Sequence, residues 1–443
     1  LSFSFCSDVR QEMISSQVEK FLKIPPAQQV RTGLLFLFSF GMTGAYVGAR
    51  SDADAVFLAR AGIERLPAMI LVSASGVAII TALYARTLAR LSLQRVIFAT
   101  HFALALATLS LALMLKANDR AVGISAGLYL LAELRGTLGS IQFATLLNEL
   151  FRSSAPAKVS GIAGSGSTLA GVILGGAIGW LASRFGATSV LYMIVVMDCL
   201  AGFVALRCRH SLADDRSLTQ PLPETQGSDS APATESESPV SPIEILKQVP
   251  LARYIAGMVC LKTVVVLLIE FEWKSTAVAY YSAEDDLASF FGIFYASTAL
   301  LTGCLQLFGT SRVLTRLGVQ TGLAAFPVSV TLVLSTVFFV AKPMAMFWCL
   351  TCVRGCDVLR RGLTDAAINI LYWPLGPVMR RQVIALNGGW VKPLTEALAA
   401  VLLIPLTATL SARDLALTII GLCGIWLIAI YRGRQSSTTT PPE

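Results

Sequence analysis

Charged residues stand in this chain where an apolar run has few reasons to keep them. Ile269-Glu270-Phe271-Glu272-Trp273-Lys274 closes an apolar stretch that begins near Tyr254. Two carboxylates and an ammonium there suit the handling of something polar inside a membrane. An ion at the bilayer centre is costly unless it faces protein or a water-filled path. Glu270 and Lys274 are four apart with the glutamate first, the favourable order for a helical pair. Glu272 and Trp273 fit an interfacial belt at a helix end.

Other segments repeat the theme. In Ala132-Glu133-Leu134-Arg135-Gly136 the two charges are two residues apart. On a helix they point about 200° apart, so each needs its own partner. Glu133 is expected to face a central path. For Arg135, an ion pair that only fixes helix packing weighs at least as much. Arg354, Asp357, Arg360, Arg361, Asp365 and Asn369 form a ladder in which Asp357/Arg361 and Arg361/Asp365 are i, i+4 pairs. Lys392 and Glu396 follow Asn387-Gly388-Gly389 with the same spacing. Arg50, Asp52 and Asp54 close an earlier run, where a solvated loop explains them as well as a site does. The candidate substrate-binding and translocation residues are therefore Glu133, Glu270, Lys274, Arg135, Arg361, Asp365, Arg50 and Lys392. Their cations suit an anion, since guanidinium grips phosphate bidentately. Their carboxylates suit protons, cations or the support of those same arginines, and the spacing leaves both readings open.

Catalytic and metal chemistry have little to work with. There are two histidines, His101 and His210, and neither Gly-x-Ser-x-Gly nor His-Glu-x-x-His occurs. The chain is not expected to be an enzyme. Cys349-x-x-Cys352 followed by Cys356 has the look of a metal motif, but i, i+3, i+7 is also one helix face, where cysteine packs as a small hydrophobe. No metal and no cofactor are expected.

The elements that position these residues follow from composition. Of 443 residues, 55% are hydrophobic and 14% charged, against about 25% charged in a soluble domain. A spanning helix takes about 20 apolar residues, and twelve runs qualify: 32–50, 66–88, 93–115, 122–151, 158–183, 187–208, 251–273, 287–311, 319–340, 344–372, 382–409 and 413–431. An all-α membrane protein is expected, with twelve transmembrane helices in two six-helix halves. Gly171-x-x-x-Gly175 in the fifth run permits close helix contact. No Gly-Lys-Ser/Thr follows, so a phosphate loop is rejected.

The net charge of +8 sits in short loops: Arg86, Arg90 and Arg95; Arg152 and Lys158; Arg207, Arg209 and Arg216; Arg312 and Arg316; Arg380 and Arg381; Arg432 and Arg434. All fall on one side, which the positive-inside rule makes the cytoplasm. Nucleic acid is not an expected partner; the lipid bilayer is. The expected layout is an N-terminal cytoplasmic segment 1–30, with a short amphipathic helix at 16–23; a six-helix half 31–209; a linker 210–249; a second half 250–432; and a tail 433–443. The linker is rich in Pro, Ser, Glu and Thr, a disordered composition. Both termini then lie in the cytoplasm. A 6 + 6 layout with a long middle loop is major-facilitator-like, with the substrate site between the halves.

Together these motifs resemble the ATP/ADP translocase (nucleotide transporter) family of plastids and obligate intracellular bacteria. Tyr46-Val47-Gly48-Ala49-Arg50-Ser51-Asp52-Ala53-Asp54 is similar to that family's Tyr-x-x-x-Arg-Asp-x-Lys-Asp. Ala132-Glu133-Leu134-Arg135-Gly136 is similar to its Glu-Leu-Trp-Gly element. Glu270-Phe271-Glu272-Trp273-Lys274 carries its Glu-x-x-Trp-Lys signature, the most specific of the four. Thr364-Asp365 through Tyr372-Trp373-Pro374-Leu375 resembles its Phe-Asp-Pro-x-Lys-Glu-x-x-Tyr-Ile-Pro-Leu run. The resemblance implies exchange of nucleotides, typically ATP for ADP, by alternating access. Glu133 and Glu270 match two of its functional positions. The lysines expected in the first and tenth runs fall on Ala53 and Ile368, and the following glutamate on Asn369. The expected protein is a monomeric carrier of a small molecule, ATP/ADP or another nucleotide, in a bacterial inner membrane. A proton-coupled major-facilitator carrier of a non-nucleotide solute and a transport-inactive membrane scaffold or sensor are the alternatives.

Overall fold

The computed structural model describes residues 26–88, 91–117, 122–151, 156–186, 188–218, 242–281, 283–340, 342–375, 377–409 and 411–438. These residues are helical almost throughout, with no strand among them. The first half is α1 (Pro26–Ala61), α2 (Leu66–Leu88), α3 (Leu93–Ala117), α4 (Val122–Leu150), α5 (Pro156–Phe185) and α6 (Thr188–Leu218). The second is α7 (Pro250–Tyr280), α8 (Glu284–Cys304), α9 (Thr310–Ser335), α10 (Pro343–Gly355), α11 (Lys392–Thr409) and α12 (Ala412–Thr438). Short pieces extend α10 through Asp365–Leu371, and Pro377–Leu386 precedes α11.

Local sequence sets the ends. Proline opens α1, α5, α7 and α10, where its missing N–H costs nothing and its φ is already helical. Gly62 (φ 80°) and Gly186 (φ 81°) stand just past α1 and α5, the left-handed position that stops a helix. Their N–H groups donate to Leu58 O at 3.2 Å and Ala182 O at 3.0 Å. Gly318 (φ 84°) breaks the start of α9.

In the first half, α1 packs on α4, α5 and α6; in the second, α7 packs on α10, α11 and α12. The halves meet where α5 and α1 touch α8 and where α2 touches α11. Small residues permit the α5–α8 approach. A Cβ on Gly171 would lie 2.6 Å from the Ala299 Cβ, and one on Gly175 would lie 2.8 Å from the Ala296 Cβ. The tight packing expected of this glycine-rich run is thus directed at the other half.

Large apolar side chains such as Val72, Ile79, Leu83, Leu106, Leu113 and Phe203 point outward and are exposed. Nine helical stretches among the described residues are long and apolar enough to cross a membrane. One of them, 284–339, contains the eighth expected run and all but the last residue of the ninth. Val122–Leu150 and the broken segment 343–371 lie outside those nine; they carry Glu133, Arg135 and the arginine ladder.

Several boundaries differ from expectation. The first helix runs on to Ala61, so Arg50, Asp52 and Asp54 lie inside it and not in a solvated loop. The expected linker 210–249 is helical at both ends, through Leu218 and again over Pro242–Gln248. Its centre, 219–241, lies outside the described residues, as does the expected amphipathic helix at 16–23.

Candidate functional site

Two i, i+4 ion pairs face each other across the halves. On α1, Arg50 and Asp54 are 3.3 Å apart; on α7, Glu270 and Lys274 are 2.6 Å apart. The sign order is opposite on the two helices, so the pairs interlock. Arg50 reaches Glu270, and Lys274 donates to Asp54 at 2.8 Å. Four charges thus close a ring in which every ion touches two of opposite sign. Lys274 and Asp54 have no exposed side-chain surface. A buried ion survives only when paired and hydrogen-bonded, and this ring meets the condition. The Tyr295 hydroxyl donates to Asp54 at 3.1 Å. The Tyr129 ring lies beneath both cations, 5.3 Å from the Arg50 guanidinium and 5.6 Å from the Lys274 ammonium.

The ring extends into both halves. Glu133 of α4 accepts from Arg50. Arg354 of α10 lies 3.5 Å from Glu270 and 3.5 Å from Asp357. Asp357 also takes Arg360 and, at 2.6 Å, Arg361. Asp365 then receives Arg360 at 3.1 Å and Lys262 at 2.9 Å. The ladder expectation held for Asp357/Arg361 and not for Arg361/Asp365. Residues 360–364 form a π turn, whose i→i+5 bonding stacks Asp365 under Arg360 instead. Lys262 was missed by sequence reasoning; its signal was a lone lysine midway along an apolar run.

Glu133, Arg50, Glu270, Lys274, Arg361 and Asp365 therefore belong to one continuous chain of contacts. Two candidates do not. Among the described residues Lys392 pairs only with Glu396, at 3.7 Å, and its own side chain is exposed. Arg135 points into the first half, as the angular argument required. Its Nε donates to Asp198 at 2.9 Å, and His101 Nδ1 meets the other Asp198 oxygen at 3.0 Å. This sealed Arg–Asp–His cluster ties α4, α6 and α3 together. Asp198 and His101 were not singled out from sequence, because one carboxylate and one histidine on separate helices carry no spacing signal.

Glu272 and Trp273 are not interfacial. Trp273 is fully buried among Phe290, Phe291 and Phe294, with Arg354 5.7 Å from its ring. Glu272 is buried, and among the described residues neither of its oxygens has a hydrogen-bond partner. The same holds for Asp52, which faces Arg135 and Thr108 across a small void. Asp52 and Glu272 occupy the middle of the two interlocking triplets.

At the end marked by Ala61 and Glu284 the halves are tied. Arg60 Nε donates to Glu284 at 2.9 Å, Ser51 Oγ to Ala288 O at 3.1 Å and Ser289 Oγ to Gly179 O at 3.3 Å. Away from that end the polar side chains open up: Glu133 and Asp365 are each 32% exposed and Arg361 46%. Burial thus falls off on one side of the charge ring, towards Glu133, Asp365 and Arg361. Among the described residues no group of three or more His, Cys, Asp or Glu is arranged to hold a metal ion.

An all-helical bundle with charges walled between two halves is a major-facilitator-like membrane fold, and solved structures share it. The nucleoside transporter NupG aligns with a TM-score of 0.63 at 10% identity, covering 93% of this chain and 99% of NupG. An auto-inhibited POT family peptide transporter aligns at 0.57 and 12% identity, covering 95% of this chain and 98% of its own. These likenesses establish the fold. No curated protein matches the sequence. Residues 125–350, just over half of the chain, match the TLC ATP/ADP transporter family, and the chain belongs to that family. It is an integral membrane transporter that resembles nucleotide exchangers.

Proposed function

We propose that the protein is an alternating-access secondary transporter of nucleotide-type small molecules, working as a monomer in a bacterial inner membrane with both termini in the cytoplasm. The single observation that carries this reading is the buried charge ring that links α1 and α7 across the two halves. The ring's ion pairs join the two halves, and a rocking carrier must break such pairs when its closed face opens. Helix alternation puts the basic loops at the end away from Arg60 and Glu284, and the positive-inside rule makes that end the cytoplasmic one. The rocking bodies are 31–209 and 250–432. Arg50, Glu133, Glu270, Lys274, Arg361 and Asp365 line the path, and Lys392 flanks its open part. Arg135 acts as a strut within the first half.

The test is counterflow in liposomes preloaded with unlabelled nucleotide, with labelled adenosine, AMP, ADP and ATP outside. Accumulation of any of these supports the reading. Folded protein that moves none of them refutes it.

A second reading, proton-coupled transport, is favoured by Asp52 and Glu272. A carboxylate without partners in a dry interior is costly as an ion, so these two are natural proton carriers. Transport driven by an imposed pH gradient and lost in Asp52→Asn would support it; transport indifferent to both would remove it.

A further inference from the structure

We infer that the carrier crosses between its two states without cargo, so that it moves its substrate in a net direction and is not confined to one-for-one exchange. This rests on the alternating-access reading proposed above and deepens it. What carries it is the set of partners each ion keeps when the halves part.

Two ion pairs of the ring join the halves, Arg50–Glu270 and Asp54–Lys274. The Tyr295 hydroxyl adds a hydrogen bond from α8 to Asp54 on α1. Opening the end marked by Arg60 and Glu284 must break all three. In its own half, Asp54 then keeps Arg50 at 3.3 Å, and Arg50 keeps both Asp54 and Glu133. In the other half, Lys274 keeps Glu270 at 2.6 Å, and Glu270 keeps Lys274 and, at 3.5 Å, Arg354. Every ion of the ring retains a partner of opposite sign on its own side.

The rest of the network asks nothing of the opposite half. Asp357 holds Arg354, Arg360 and Arg361; Asp365 holds Lys262 and Arg360; Glu396 holds Lys392. All of these lie in the second half and travel together. Among the described residues the oxygens of Asp52 and Glu272 have no hydrogen-bond partner, so the opening takes none from them. Arg60 and Glu284 also pair across the halves. They sit at the ends of α1 and α8, where the opened face brings water to replace the partner.

Breaking a buried pair is severe when it leaves an ion uncompensated. Separation differs here from deletion of an ion, because each helix carries away from the ring one cation and one carboxylate. The sign order along the helices is what does this. Were position 54 a cation and position 274 a carboxylate, the ring would close with the same two pairs across the halves. Opening it would then leave like charges four apart on both helices, which repel. With the order that α1 and α7 have, the empty ring can part without a cargo charge to cover it.

The test compares empty and preloaded liposomes containing the purified protein, at equal pH inside and out, with potassium and valinomycin clamping the membrane potential. Labelled adenosine, AMP, ADP and ATP are each offered to vesicles with and without the same unlabelled compound inside. For a compound that gives counterflow, the initial rate into empty vesicles is expected within about tenfold of the preloaded rate, levelling off at equal concentration on both sides. Ions stranded during the empty return would slow that uptake by roughly a hundredfold or more. The swap Asp54→Lys/Lys274→Asp keeps both pairs across the halves and makes each i, i+4 pair like-charged. In swapped protein shown by a thermal melt to be folded, empty uptake is expected to fall by at least about tenfold. Counterflow with empty uptake more than about tenfold slower overturns the inference and leaves the proposed function standing. So does wild-type empty uptake in the folded swap. Folded wild-type protein that moves none of the four compounds into either kind of vesicle overturns the inference and the proposed function together.

Discussion

Replacing Lys274 by methionine removes one ion from the charge ring while keeping most of the side chain's bulk. Asp54, wholly buried, then keeps only Arg50 at 3.3 Å and the Tyr295 hydroxyl at 3.1 Å. Glu270 keeps Arg50 and a distant Arg354 at 3.5 Å. Breaking a buried pair by removing one partner costs about 3–5 kcal/mol, which corresponds to roughly a hundred- to several-thousandfold in an equilibrium. Asp54 and Lys274 belong to different halves, so part of this loss falls on the state closed at the Arg60–Glu284 end. Two effects are expected in purified Lys274→Met: a lower melting temperature, and faster amide exchange in peptides covering 55–66 and 283–290. The double variant Asp54→Leu/Lys274→Met removes both ions, leaves Arg50 with Glu133 and Glu270, and is expected to recover most of the loss. A coupling of at least about 2 kcal/mol between the two sites is the signature. Additive costs, or exchange at the closed end that stays at the wild-type rate in Lys274→Met, would refute the reasoning.

Other outcomes follow from contrasts within the fold. Arg60→Ala removes a two-pronged pair whose side chains are only 14% and 21% exposed, so a loss of about 1.5–3 kcal/mol is expected, and raising salt on the wild-type protein should reproduce only a small part of it in the same melt. Gly175→Leu drives a side chain into Ala296, whose Cβ would lie 2.8 Å from the first added carbon. About 1–3 kcal/mol of overpacking is expected to weaken the closed state, read as reduced counterflow at normal expression. Arg135→Met strands Asp198 beside His101, and about 3–5 kcal/mol is expected as poor folded yield. The folded remainder should keep the wild-type order of preference among substrates.

Much of the architecture was legible because it rests on one-dimensional signals. Apolar run length placed the helices, and Gly171-x-x-x-Gly175 marked a close contact, though not its partner. The i, i+4 rule found Glu270–Lys274 and Asp357–Arg361, and the half-turn between Glu133 and Arg135 rightly separated their partners. Contacts between distant helices were not legible. Nothing near Arg50 says that it meets Glu270, 220 residues away. Asp198 and His101 have no meaning until three helices converge. Trp273 and Glu272 were misjudged because a Trp-Lys helix end looks interfacial when the helix is cut short there. In fact α7 runs on to Tyr280, which carries both residues inside. The Arg361–Asp365 pairing failed because a π turn has no reliable sequence mark.

That turn is one of three among the described residues, at Leu305–Gly309, Arg360–Thr364 and Asn387–Val391, and all lie in the second half. Each is an α-helix with one residue too many. Deleting a single residue from Arg360–Thr364 would return the segment to ordinary pitch and swing everything after it by about 100°, taking Asp365 away from Lys262. The same set of charges thus admits two wiring schemes that differ by one residue of chain length. In this half, insertion and deletion are as direct a route to a new set of contacts as any change of side chain.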